Sequence, residues 1–120
     1  MKTSTEIISA TDEALEAMRN ALKPDAQPLP PTKWVDIGLL FAVHMANCGS
    51  ALAEAEMDFN KEVSKGIKAG ESVAAAEVHA RTTESFRKLK ELKVKIDAID
   101  RAIPLCRAKA TLSDNEYNRP

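Results

Sequence analysis

Two histidines, two cysteines and a scatter of arginines are the side chains here that could do chemistry. His44 and Cys48 stand four residues apart. On a helix that spacing puts both on one face, and an imidazole beside a thiolate is a transition-metal pair. Two ligands do not close a site, and neither His79 nor Cys106 is expected near them within one chain. A core thiol beside a tolerated histidine is the plainer reading, and no metal or cofactor is expected. His79 is expected to lie near Asp58, where a carboxylate would orient an imidazole for proton transfer. No serine or cysteine nucleophile falls beside that pair, so it reads as a rim contact. Glu54 with Asp58, and Asp97 with Arg101, have four-residue spacing, which is common on a solvated helix face. The spacings of glycine-rich phosphate loops, EF-hands and zinc fingers do not occur. The expectation is that the chain is not an enzyme.

The cationic side chains suggest binding instead. Residues 1–60 hold 4 basic and 9 acidic residues, and residues 61–120 hold 13 basic and 9 acidic. The densest stretch is RKLKELKVK, residues 87–95. A basic helix can follow phosphates. Here Lys88, Lys90, Lys93 and Lys95 spread around the solvent side, with Glu84, Glu91 and Asp97 mixed among them and no aromatic residues interleaved to stack on bases. A solvated face is the plainer reading, with a nucleic-acid surface as the alternative. Arg81 and Arg107 fall at the edges of an apolar stripe. An arginine there meets a carboxylate or, in an oligomer, points into a shared anion pocket. The candidate ligand-binding residues are therefore Arg81, Arg87, Lys88 and Arg107, with Trp34 or Tyr117 as stacking partners.

The elements that must position these residues are helices. Thr3 and Glu6 have capping-box spacing, and Ile7, Ile8, Thr11, Leu15, Met18 and Leu22 recur at helical steps, so a helix is predicted over 4–22. Four of the 6 prolines fall between residues 24 and 31, making 23–32 a stiff, extended linker. Thr32 is placed to cap a long helix over 33–65. Its main apolar stripe is Trp34, Ile37, Phe41, Met45, Cys48, Leu52, Ala55, Phe59 and Val63. A second stripe, Leu39, Val43, Ala46, Ser50, Ala53 and Met57, steps by 4, 3, 4, 3, 4 and is mostly small, which suits close helix packing. Gly66 and Gly70 can take left-handed angles at the break, and Ser72 can cap a last helix over 72–110. That helix carries Ala75, Val78, Thr82, Phe86, Leu89, Leu92, Ile96, Ile99, Ile103 and Cys106, with a kink or early stop expected at Pro104. The polar segment 111–120 should fray.

Two long helices joined by a tight turn make an antiparallel hairpin. With the turn near residue 68, Phe59 faces Val78, Cys48 faces Leu89 and His44 nears Lys93. The fold expected is all-α: a long antiparallel helical hairpin with a short N-terminal helix, packed as a homo-oligomer. The first helix is too short to cover the second stripe, so Leu39, Val43, Ala46, Ala53 and Met57 are expected at the subunit contact. The alternative is a monomeric three-helix bundle in which the first helix fills that groove.

Composition agrees with one domain. The chain has 120 residues, 44% hydrophobic and 29% charged, a globular balance, and 17 basic against 18 acidic residues exclude a polycationic tail. Aromatics are only 4%, so the core must be aliphatic, and 4 glycines are too few for a β-sandwich or barrel. Cys48 and Cys106 read as reduced thiols, and the N-terminus carries no secretory pattern, so a cytoplasmic protein is expected. The 17 uncharged residues between Asp36 and Glu54 approach the length of a membrane span, but His44, Asn47 and Ser50 argue for a helix buried by protein on several sides.

Residues 33–103 resemble small helical proteins encoded by bacteriophages. The matching features are Trp34 opening the first long helix, ALAEAEMDFN, the glycine break ending in GES, then AAAE and a long amphipathic helix. Many such proteins have no assigned activity. Others block bacterial defences by binding a defence protein or by sequestering its nucleotide signal within a multi-subunit assembly. The resemblance implies a non-catalytic accessory protein that counters immunity in the host bacterial cytosol. Its partners would be further copies of itself and a nucleotide signal or host defence protein. The resemblance transfers no functional residue.

Overall fold

The computed structural model describes residues 2–117, with side chains through residue 113. The described residues form four helices and no strand: α1 (Ser4–Ala21), α2 (Pro31–Lys68), α3 (Val73–Ala80) and α4 (Glu84–Tyr117). The molecule is a rod of 74 × 25 × 19 Å.

Local chemistry sets the ends of α1 and α2. The Glu6 backbone N–H donates to Thr3 Oγ1 at 3.2 Å, which caps α1. Helix α2 begins earlier than its sequence suggests. Pro30 is the N-cap and makes no side-chain cap bond, so Thr32 is not the cap. Pro31 occupies the first helical position, where its missing N–H costs nothing and its fixed φ already suits the helix. At the other end Gly70 adopts φ +96°. This lets the Gly70 N–H reach Ile67 O and the Glu71 N–H reach Gly66 O, each at 3.0 Å, satisfying carbonyls that the helix end leaves free.

Gly66 plays a different part from the left-handed one expected of it. It lies inside α2, and a Cβ added there would sit 2.8 Å from Ala76 Cβ and 3.2 Å from Ala76 Cα. The missing side chain lets α3 press against α2, with Ala76 and Ala80 as the buried contacts.

The predicted single helix over 72–110 is interrupted. Ser72 caps α3 by accepting from the Ala75 N–H at 3.2 Å, but α3 ends after eight residues. Thr82 Oγ1 donates to His79 O and Thr83 Oγ1 to Ala80 O, so both hydroxyls bind carbonyls behind them. Thr83 Oγ1 then accepts from the Phe86 N–H and starts α4. The break shifts the hairpin register. Phe59 meets Phe86, with ring centroids 5.5 Å apart, and not Val78, which is 56% exposed. Helix α4 runs through Pro104 without stopping. Asp100 and Pro104 are both exposed, so the carbonyl that loses its partner is open to water. It also carries on through the segment expected to fray, as far as Tyr117, while residues 118–120 lie outside the described residues.

The core lies where α1, α2 and α4 meet. Phe41, Cys48, Leu92 and Ile99 are wholly buried, with Leu15, Met18, Trp34, Leu89, Ala102 and Cys106 around them. Helix α1 runs antiparallel to α2 and beside α4. Thr11 Oγ1 lies 3.4 Å from Cys48 Sγ, Asp12 pairs with Lys95, and Cys106 Sγ lies 3.9 Å from Met18 Sδ.

Gly66→Ala should destabilise the protein by about 1–3 kcal/mol, because Ala76 Cα is backbone and cannot yield. Urea denaturation measures this. If the midpoint rises, as helix propensity alone would have it, the α2–α3 contact is not tight.

Candidate functional site

The most distinctive surface follows from where α1 lies. At about 1.5 Å per residue the 18-residue α1 spans about 27 Å and the 38-residue α2 about 57 Å. Helix α1 packs over the side of α2 that carries His44, Cys48 and Ala51 and leaves the opposite side open. On that open side Leu39 is 62% exposed, Val43 56% and Met57 60%, and Ala46 and Ala53 are exposed too, while Ser50, also exposed, lies at its edge in a recess shared with Ser4 and Ile7 of α1. Protein therefore covers α2 on one side only. An 18-residue stretch of α2 has mean hydropathy 1.4 and is only 22% buried, so by length and composition alone the helix could cross a bilayer.

The open stripe continues into a groove between the first half of α2 and the second half of α4, about 390 Å³ in volume. Trp34, Gly38, Leu39, Ala42, Ile103 and Arg107 are among its lining residues. Gly38 lies on its floor, where a Cβ would stand 3.6 Å from Cys106 Cβ, an ordinary contact distance. Trp34 is 3% exposed, so its ring belongs to the core and has little free face on which to stack a base. Arg107 is exposed at the groove.

The other cations stand apart. Arg81 is exposed in the turn between α3 and α4. Arg87 is held at 2.8 Å by Glu84, whose hydrogen bond and charge raise its pKa. It lines a shallow groove between α1 and α4 with Ile8, Asp12, Lys90 and Lys95. Lys88 is half-buried one position on. Arg87 and Arg107 are 20 residues apart on one helix, about 30 Å. The four basic residues therefore form no single cluster within one chain. The side chain of Tyr117 lies outside the described residues. Lys90 Nζ sits 5.6 Å from the centre of the Phe86 ring, a cation–π contact between residues four apart on one helix.

The titratable pairs are rearranged as well. His79 Nδ1 lies 2.8 Å from Glu71 Oε1, not near Asp58, because α3 is a short separate helix that folds back on the turn. His44 is buried at 9% exposure, and burial first, then the Lys2 ammonium, lowers its pKa. Cys48 and Cys106 are both free and buried, and burial raises the Cys106 pKa, leaving an unreactive thiol. No three His, Cys, Asp or Glu side chains converge as metal ligands among the described residues. Compared with protein-family models, curated proteins and solved structures, the chain matches none.

His44 makes stability depend on pH. Above its ordinary pKa of 6.5 the imidazole is neutral in folded and unfolded chains alike. As pH falls below that value the unfolded chain takes up the proton first, so folded stability drops until the lowered folded pKa is passed. His44→Gln should flatten the dependence of Tm on pH as pH falls below 6.5. Equal slopes for the two proteins would show that His44 carries no such penalty.

Proposed function

We propose that this protein is a non-catalytic phage accessory protein that works in the host bacterial cytosol as a homo-oligomer and counters immunity by binding a host defence protein stoichiometrically. The observation that carries the reading is the open face of α2: Val35, Leu39, Val43 and Met57 are each more than half exposed along one side, edged by Asp36 and Glu54. A contiguous apolar strip of that length is a contact surface in a protein otherwise rich in charge. Self-association covers it and leaves the charged outer faces free. These are the acidic side of α1, with Glu13 and Glu16, and the basic side of α4, with Lys90 and Lys93.

Capture of a nucleotide second messenger is the other mode that the bacteriophage resemblance implies. Dispersal of Arg81, Arg87, Lys88 and Arg107 along the rod favours protein docking over it, since a nucleotide needs converging donors. Calorimetry with a panel of cyclic nucleotides should therefore give no heat, and binding of any one would restore the nucleotide mode.

Leu39→Asp combined with Val43→Asp tests the surface. Both side chains are exposed, at 62% and 56%, so folding stability should change by less than about 1 kcal/mol. Sedimentation should show the unsubstituted chain as an oligomer and the double variant as a monomer. In bacteria carrying a defence system sensitive to this protein, plaque counts should fall with the double variant. Sedimentation of the unsubstituted chain as a monomer at every concentration would remove the basis for the reading.

A further inference from the structure

We propose that two copies pair antiparallel through the open face of α2, about a two-fold axis at the level of residue 48, so that each copy completes the other's groove. The proposal rests on the reading that another copy covers this face. The steps of 4, 3, 4, 3, 4 place Leu39, Val43, Ala46, Ser50, Ala53 and Met57 in two adjacent rows. In an antiparallel helix pair each layer joins one residue from each row. One register satisfies every layer: Leu39 meets the partner's Met57, Val43 the partner's Ala53, and Ala46 the partner's Ser50. Larger side chains then meet near the ends and small ones at the centre, where the axes come closest.

Gly49 agrees with this centre. It is exposed in the middle of a 38-residue helix, with nothing within 4 Å of the place where a Cβ would stand. A glycine there costs about 1 kcal/mol relative to alanine, and no contact within the chain accounts for it. In the proposed register Gly49 lies one residue from the axis, so the two copies of Gly49 stand only about 3 Å apart in level.

The groove decides the direction. Antiparallel pairing brings the partner's Met57 to the level of Gly38 and Leu39, where the groove of about 390 Å³ is open. Methionine is unbranched and fills irregular apolar space well. The same pairing brings the partner's Glu56 to the level of residue 40, between Gly38 and Ala42, on the flank where Arg107 lines the groove. Glu56 and Arg107 are exposed, and neither forms an ion pair among the described residues. A parallel pairing would instead set Arg107 level with the partner's Arg107. A partner carboxylate beside Arg107 also accounts for an arginine at the rim of an otherwise apolar groove.

Cross-linking of the full chain tests the register. The native Cys48 and Cys106 are buried, so the unsubstituted chain should give no covalent dimer on mild oxidation. Gly49→Cys should give one rapidly. Leu39→Cys alone should not, because its two copies lie 18 residues out of level, about 27 Å. A mixture of L39C and M57C chains should cross-link. E56K and R107E should each weaken dimerisation roughly fivefold, the size of a solvent-exposed ion pair, and the double variant E56K/R107E should recover it. Self-cross-linking of L39C as fast as G49C would overturn the antiparallel register while leaving self-association standing. A chain that stays monomeric at all concentrations would overturn both.

Discussion

Everything in this molecule depends on a mismatch of length between two helices. Helix α2 carries apolar residues on two sides over 38 positions, and α1 has 18 residues with which to cover it. Burial of apolar surface is the main favourable term in folding, so α1 goes where it removes most from water. That is the cleft between α2 and α4, where Leu15 and Met18 join Phe41, Cys48 and Cys106. The open face of α2 remains because the described residues hold no further long element to lay over it.

The interior is close-packed but chemically quiet. Cys48 sits against the Thr11 hydroxyl, Cys106 against Met18, and His44 is held toward its neutral form beneath α1. A buried thiol raised in pKa and a desolvated imidazole serve packing better than nucleophilic chemistry. The groups with reach and charge, namely Arg81, Arg87, Lys90 and Arg107, lie on the outside and along the length of the rod. That distribution suits a long contact surface and not a compact pocket.

Much of this was readable from residue spacing. The α1 stripe of Ile7, Ile8, Thr11, Leu15 and Met18 and the main α2 stripe face the core as their periodicity requires, and Thr3 and Ser72 cap the helices they precede. The second α2 stripe was also readable as apolar, but periodicity does not tell which of two stripes a short neighbour will choose. The failures cluster where side chains compete with backbone. Thr82 looks like an ordinary member of a helical stripe, yet its hydroxyl and that of Thr83 bind the carbonyls of His79 and Ala80 where the helix breaks. Pro104 looks like a stop, but one lost hydrogen bond on a solvated side does not end a helix whose other face is packed.

Sequence alone determined the helical character of the chain, the caps at Thr3 and Ser72 and which residues are apolar together, because these depend on neighbours within a turn or two. Tertiary structure decided the rest. It moved the hairpin register so that Phe59 meets Phe86, turned His79 toward Glu71, sank Trp34 into the core and kept Arg87 and Arg107 apart. The first three of those outcomes turn on contacts between distant segments, as does the close approach of Gly66 to Ala76. The energy of such contacts depends on ångström-scale fit in three dimensions, and a pattern of residue types along a line does not contain it.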